Sequence, residues 1–430
     1  MTRMKDSGIE WIGEVPEEWG IKPIKHIFGA IGSGTTPDSS KVEYYDGNIN
    51  WLQSGDLYKK DYVYAVSKTI TDLGYRSSAS LRIYQAPFLA IAMYGASIGN
   101  LAISKIDACV NQAVAVLKGE ENIVRFTKLA LEISKTELIF AAQGGTQPNI
   151  NQVLIKNWVI PFPSEIEIKK IADFLDKKVA QLDKVKSLLE EQIKTLEDYR
   201  QSLIYETVTK GLDKTVPLKD SGVDWIGQIP EGWEVKNFKY VATIKDGTHD
   251  TPEYFVEGVP LITSKNLDSV QNRIDFDSAK NISYDDHIKI SQRSDVKKGD
   301  ILMPMIGTVG GATQVLVEKE FSIKNVALFK VAHDEALSRF LYYQLNSRWT
   351  NSQLSFMMSG GVQSFVSLNM LSQVKLIIPT SEEIKKINLF LDSGVGKINQ
   401  MIAIKKEQIE NINKQRQTLI YDYVTGKRRI

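Results

Sequence analysis

KDSGIEWIGEVPEEW, running from Lys5 to Trp19, returns as KDSGVDWIGQIPEGW from Lys219 to Trp233, with ten of fifteen positions identical at an offset of 214. A second stretch also repeats: EQIKTLEDYRQSLIYETVT, Glu191 to Thr209, comes back as EQIENINKQRQTLIYDYVT, Glu407 to Thr425, at an offset of 216. Nearly equal offsets at both ends of the repeat mean two half-chains built alike. What lies between the repeated pieces has diverged strongly. That combination of constant frame and variable insert constrains function more than any single motif.

A chain of 430 residues, at about 150 residues per domain, suggests two or three domains, and the duplication favours two. Hydrophobic content of 43% and charge of 24% describe an ordinary globular protein. No apolar run approaches the roughly eighteen residues of a membrane span, and the charged N-terminus lacks the apolar core of a signal peptide, so the expected compartment is the cytoplasm. Cys109 is the only cysteine, which excludes an internal disulfide and reads as a small core hydrophobe. Net charge of +1 argues against a protein that coats polyanions. Residues 20–160 hold 14 basic against 11 acidic side chains, and residues 234–378 hold 16 of each. Affinity for nucleic acid would therefore rest on arrangement, or on a more basic partner.

Each half opens with W-I-G-x-x-P-x-x-W, a turn-rich anchor stapled by aromatic packing. An insert of about 140 residues follows, with strand-length apolar runs broken by turn residues. In half one these are INWL, FLAIAM and AVAVL; in half two VPLIT, ILMPMI and NVALFKV. Short helices are expected around Val124 to Ala141 and Ala336 to Leu354, so each insert reads as mixed α and β.

Both halves close in a long helical pattern. From Glu165 an apolar face runs through Ile168, Ile171, Leu175 and Val179, then settles into heptad spacing at Leu182, Leu189, Leu196 and Leu203, with Ile193 on the second row. The second copy places Ile398, Ile412 and Leu419 on one row and Val395, Ile402 and Ile409 on the other. Lys405 and Lys186 each interrupt a row where the other copy is apolar, a device that fixes register. Some thirty residues of such helix give a strut of about 45 Å. Two tandem halves ending in heptads close naturally if the helices pair antiparallel, with an approximate two-fold axis and with Met1 near Ile430.

Catalytic signatures are missing. The sequence holds no phosphate loop, no H-E-x-x-H and no paired C-x-x-C, and neither N-P-P-Y nor D-P-P-[YFW]. His26, His249, His287 and His333 are scattered, and no carboxylate cluster stands out.

Four pairs of loops, in the same order in both halves, carry polar residues on a glycine frame. Gly32-Ser-Gly-Thr-Thr-Pro37 answers to Asp246-Gly-Thr-His-Asp-Thr-Pro252, and Leu52-Gln-Ser-Gly-Asp-Leu57 to Ile262-Thr-Ser-Lys-Asn-Leu267. Met93-Tyr-Gly-Ala-Ser-Ile-Gly99 answers to Met305-Ile-Gly-Thr-Val-Gly-Gly311, and Gly144-Gly-Thr-Gln-Pro148 to Gly360-Gly-Val-Gln-Ser364. Glycine permits close backbone approach, and Gln, Asn, Ser, Thr and Lys supply the donors and acceptors that read base edges. The changes between copies fall on the polar tips.

Taken together, the W-I-G-x-x-P-x-x-W openings, the G-T-x-x-T-P loop with its shortened S-G-T-T-P form, the G-G-x-Q segments and the E-I-K-K-I helix entries, each shortly after a Ser or Thr and ending in R-Q-x-L-I-Y, resemble the specificity subunit of a type I restriction-modification system. The resemblance covers essentially the whole chain. It implies an α+β architecture of two mixed α/β target recognition domains, residues 1–164 and 213–380. Two conserved helices, 165–212 and 381–430, would separate them as an intramolecular antiparallel coiled coil. It further implies a non-catalytic chain that reads a bipartite DNA target, one half-site per domain. Its implied partners are double-stranded DNA, two methyltransferase subunits that use S-adenosylmethionine, and two restriction subunits that use ATP and magnesium. No cofactor or metal is expected on this chain.

By the same resemblance, Ser33, Thr35, Thr36, Ser54, Asp56, Ser97 and Gln147 are the DNA-contact candidates of half one. Thr248, His249, Thr251, Ser264, Lys265, Thr308 and Gln363 are those of half two. Arg200, Tyr205, Arg416 and Tyr421 join Leu182, Leu189, Leu196, Leu203, Ile398, Ile409, Ile412 and Leu419 as partner-docking or helix-packing positions. The rival reading is a coiled-coil scaffold for protein interactions without DNA specificity.

Overall fold

The computed structural model describes residues 3–142, 149–306, 309–358 and 365–430. It divides into two compact units, one made of Met1–Leu188 with Gln408–Ile430, the other of Leu189–Glu407. The cut falls inside both long helices, so each helix contributes to both units. Each unit combines an insert, the first half of the helix that follows it and the last half of the other helix.

The insert of the first unit is built on a five-stranded sheet, ordered Ala30–Gly32, Val114–Lys118, Phe88–Ala92, Leu101–Ser104, Tyr62–Val63. Phe88–Ala92 is buried at every position. Leu89 and Ile91 pack with Val124 and Leu131 of helix Glu121–Ile133, while Phe88, Ala90 and Ala92 pack with Leu52 and Leu57 on the other face. Two covered faces account for the continuous apolar run FLAIAM, where a half-exposed strand would alternate. A smaller sheet sets Cys109–Val110 parallel to Tyr45–Leu52. Cys109 is buried there, and burial pushes its thiol up to about 12, in keeping with a small core residue.

The second unit repeats this plan. Its sheet orders Thr243–Asp246, Val326–Lys330, Ile301–Pro304, Thr313–Gln314, and Ser322–Ile323 runs parallel to Val259–Ile262. Ile301 and Met303 face Phe340 of helix Glu335–Leu345, and Leu302 faces Ile262. The two expected helical regions are each broken once. Helix Glu121–Ile133 gives way to Lys135–Ala141 at Ser134, whose hydroxyl donates to Ala130 O and accepts from Trp158 Nε1. Glu335–Leu345 gives way to Arg348–Met358.

The long helices span Glu165–Lys210 and Ser381–Val424, 46 and 44 residues, or about 65–70 Å. The 45 Å figure covered about thirty residues, and the helix extends beyond that heptad stretch at both ends: it begins at Glu165, and past Leu203 Ile204 and Val208 turn inward onto the second unit's core until Gly211, at φ +69°, stops it. Each helix opens on a hydroxyl–carboxylate cap, Ser164 with Glu167 and Thr380 with Glu383.

Within each unit the helix halves run antiparallel. In the first, Asp183 meets Arg416 at 3.4 Å, the rings of Phe174 and Tyr423 lie 4.7 Å apart, and Glu167 meets Arg429 at 2.6 Å. In the second, Gln192 accepts from Lys405 at 2.6 Å and Asn399 from Arg200 at 2.6 Å. The register lysine Lys405 thus bonds the facing helix. Among the heptad positions Ile398 and Ile402 are buried, while Leu182, Leu189, Leu196, Leu203, Ile409, Ile412 and Leu419 are half-buried, as a two-helix seam requires.

The repeated opening motif seats the end of a long helix. In the second unit Tyr205 donates to Ile226 O at 3.4 Å, and Trp233 packs in the core beside Gly211. In the first unit Tyr421 donates to Ile12 O at 3.1 Å, and Trp19 packs with Ile420 and Val424. The hairpin Met4–Asp6 with Glu14–Pro16 therefore meets the far end of the chain, as the closing of the repeat predicts; Met1 itself lies outside the described residues. Among the described residues no helix is long and apolar enough to cross a membrane.

Candidate nucleic-acid interface

In each unit two parallel strands end side by side and set the place of the candidate loops. Asn111 N donates to Leu52 O at 3.1 Å in the first unit, and Lys324 N donates to Ile262 O at 2.9 Å in the second. The turn after the longer strand (53–57, 263–267) and the turn after the shorter one (111–113, 324–325) thereby share one end of the small sheet.

The glycine loops are laid onto this end. A Cβ on Gly34 would sit 1.8 Å from Val110 O, and one on Gly247 would sit 1.9 Å from Ile323 O. Backbone therefore touches backbone at both sites, and only glycine allows it. Thr248 N donates to Ile323 O at 3.0 Å and Asn325 N returns a bond to Thr248 O at 3.1 Å. In the first unit the loop is tied down by Tyr84 donating to Ser33 O, Trp51 Nε1 to Thr35 O and Tyr45 to Pro37 O. Ser33 Oγ also accepts from Gln152 at 2.7 Å.

Two residues beyond each glycine, a loop side chain meets an amide of the neighbouring turn. Thr36 Oγ1 donates to Gln112 Oε1 at 2.6 Å; His249 Nδ1 lies 2.9 Å from Asn325 Oδ1. His249 is also held from behind, its Nε2 lying 2.9 Å from Oδ2 of the buried Asp246, whose Oδ1 accepts from Arg293 Nε at 2.7 Å. Thr251 pairs with Lys324 Nζ. Gln112, Arg293, Lys324 and Asn325 were missed in the sequence. For all but Arg293 a signal was available: V-N-Q-A-V and I-K-N-V stand at the same place in both halves, polar tips between apolar runs.

The second pair of loops separates contact from scaffold. Asp56 is buried, and its two oxygens accept from Gln53 N and Ser67 N, both at 2.9 Å. Asn266 closes the matching turn by accepting from Thr263 N and donating to Ser278. Asp56 thus holds a turn, and its carboxylate is not presented outward as expected. Ser54 and Ser264 are half-buried and Lys265 is exposed. Ser264 and Lys265 line a cleft of about 400 Å³ together with Tyr254, Thr263, Ser278 and Lys280.

The third pair begins where Met93 N donates to Ala113 O and Met305 N to Asn325 O, beside the same turns. Ser97 is half-buried in a turn with Gly95 and Gly99 at positive φ. Thr308, Gln147 and Gln363 lie outside the described residues. Yet the backbone re-enters at this end after both G-G-x-Q segments, as Ile150 N donates to Met93 O and Val366 N to Met305 O.

Each unit thus gathers polar loops along one edge, with donors and acceptors held by backbone contacts. Among the described residues no group of His, Cys, Asp and Glu is arranged to hold a metal ion. The sequence profile of the type I restriction modification DNA specificity domain matches residues 16–197 and again 230–414. The chain belongs to that family. It is a type I specificity subunit with two tandem specificity domains, and its part is DNA recognition rather than catalysis. The chain is 26% identical to the MjaVIII specificity subunit of Methanocaldococcus jannaschii, over 97% of this chain and 94% of that one. It is 24% identical to the MjaIX specificity subunit of the same organism, over 97% and 95%. With the EcoBI specificity subunit of Escherichia coli the identity is 23% over 69% of this chain and 66% of that one. A solved structure from work on complex assembly and conformational transition of the type I R-M system shares the fold, with a TM-score of 0.68 at 14% identity, covering 95% of this chain and 98% of that one.

Proposed function

We propose that each unit reads one half of a split DNA sequence through its loop edge, and that the chain brings modification and restriction subunits to that target. The observation that carries this reading is the matched edge. Gly34 and Gly247 make the same backbone contact, while the polar pair above them changes from Thr36–Gln112 to His249–Asn325. One architecture with two sets of tips is what two different half-sites require.

Two methyltransferase subunits acting on adenine with S-adenosylmethionine, and two restriction subunits using ATP and magnesium, complete the proposed complex. The long helices set the unread gap in the target. Removing one heptad from each takes about 10 Å from its length, which at about 3.4 Å per base pair shortens the gap by about three pairs. The reading is tested by binding of the purified chain, with its methyltransferase partner, to a randomised duplex library. Enrichment of a split sequence is expected. Equal binding to all duplexes would instead favour the protein scaffold.

A further inference from the structure

We propose that Gln112 and Asn325 are the base-reading amides of this chain, one per unit, each set to recognise an adenine edge in the major groove of duplex DNA. The assignment rests on the function proposed above and names residues outside the loops that the sequence singled out.

Both amides stand on the turn where the loop edge comes together, and both are oriented by a neighbour. Gln112 is exposed, and the Thr36 hydroxyl occupies one lone pair of its carbonyl oxygen at 2.6 Å. The second lone pair and both N–H groups stay available. Asn325 sits at φ +54°, a conformation that few side chains other than asparagine and aspartate accept. Its backbone is fixed from both sides, N–H to Thr248 O at 3.1 Å and C=O from Met305 N at 3.2 Å. Its side-chain amide lies 2.9 Å from His249 Nδ1. The imidazole is in turn held by Asp246 and Arg293, so a chain of contacts runs from helix Tyr284–Arg293 to the amide. Both amides are thus placed at the edge before DNA arrives, which lowers the ordering cost of binding. An amide so presented pairs bidentately with adenine N6 and N7. Thr36, His249, Asp246 and Arg293 are positioning residues in this scheme.

The test is a pair of shape-conserving variants, Gln112→Glu and Asn325→Asp, each mapped for methylated adenine in complex with the methyltransferase partner. A carboxylate only accepts, and so favours the amino group of cytosine over adenine. In N325D one position of one half-site should change from adenine to cytosine or lose its preference. The original target should be modified roughly 5- to 150-fold more slowly, with the other half-site unchanged. Q112E should do the same to the opposite half-site. His249→Ala should weaken preference at the N325D position without moving it elsewhere. Asn325→Gly, free of strain at positive φ, removes the amide if N325D lowers the melting temperature. Unchanged motifs in both variants, beside a split motif for the natural chain, would overturn this assignment alone. Equal loss at both half-sites with unchanged melting would also overturn it. Absence of any split motif with the natural chain would overturn the functional reading along with it.

Discussion

Arg416 in the first unit and Arg200 in the second are the same residue of the repeat in two different interiors. Arg416 pairs with Glu132 and Asp183, beside a buried Lys128 that pairs with Asp61 and Glu132. Arg200 donates to Asn399, which stands where Asp183 stands in the other copy, and Tyr342 replaces Lys128. Around both, the frame is kept. Arg125 pairs with Asp176 while Tyr62 donates to it, and Arg339 pairs with Asp392 while Tyr343 donates to it. The duplicated helix seam therefore tolerates either an ionic or a neutral filling, so long as the anchor from insert to helix remains. Divergence at the loop edge is the same freedom exercised on the surface.

The largest expected contrast is between Arg416→Ala and Arg200→Ala. The first leaves carboxylates facing each other in a partly buried site and should cost about 3 kcal/mol. The second leaves an asparagine short of one bond, at about 1–2 kcal/mol. Hydrogen exchange resolved by peptide should show faster opening of Glu121–Ile133 for R416A, by a wider margin than R200A gives in Glu335–Leu345. Equal effects would mean that the charged filling adds nothing special.

Acid should sharpen the same contrast. Burial raises the Asp61 carboxyl, but the Lys128 charge and hydrogen bond outweigh it and hold the group below its usual range. A depressed carboxylate contributes stability that is full above its unfolded value, about 3.9, and lost as pH falls through its lowered value. Burial raises Asp183 despite Arg416, so its ionisation acts with the opposite sign. Asp61→Asn should therefore lower stability at pH 7 and flatten the loss of the first unit's protection below about pH 4. A slope unchanged from the natural chain would contradict the pairing.

The smallest effect compares two glycines of one helix. A Cβ on Gly396 meets nothing within 4 Å, whereas one on Gly394 would sit 3.0 Å from Leu203 Cδ2. Gly396→Ala should stabilise by about 0.5–1 kcal/mol and Gly394→Ala by less, read from thermal melts. A larger gain for Gly394→Ala would mean the helices do not approach there as described.

The frame was legible because tryptophans, glycines and heptads act through local spacing. The W-I-G motif announced its packing role, and Glu165 was found as the start of the first helix. Only the seven-residue spacing stops short of the expected end near 212, because at Ile204 and Val208 the apolar face turns from the facing helix toward an insert. At the loop edge, Gly34 and Gly247 were recognisable, but the partners they press against are supplied by strands 76 residues further on. Asp56 illustrates the limit: a buried carboxylate that closes a turn and an exposed one that contacts a ligand have the same local sequence. Gln112 and Asn325 were passed over because they border apolar runs, and only the pairing of parallel strands brings them to the edge.

The central claim is that one chain carries two independent half-site readers. The most direct measurement is single-molecule sequencing for methylated adenine in DNA from cells expressing this chain with its methyltransferase partner. The account predicts two short defined blocks around a gap of fixed length. A single undivided block, or no new methylation despite a demonstrated complex, would contradict it.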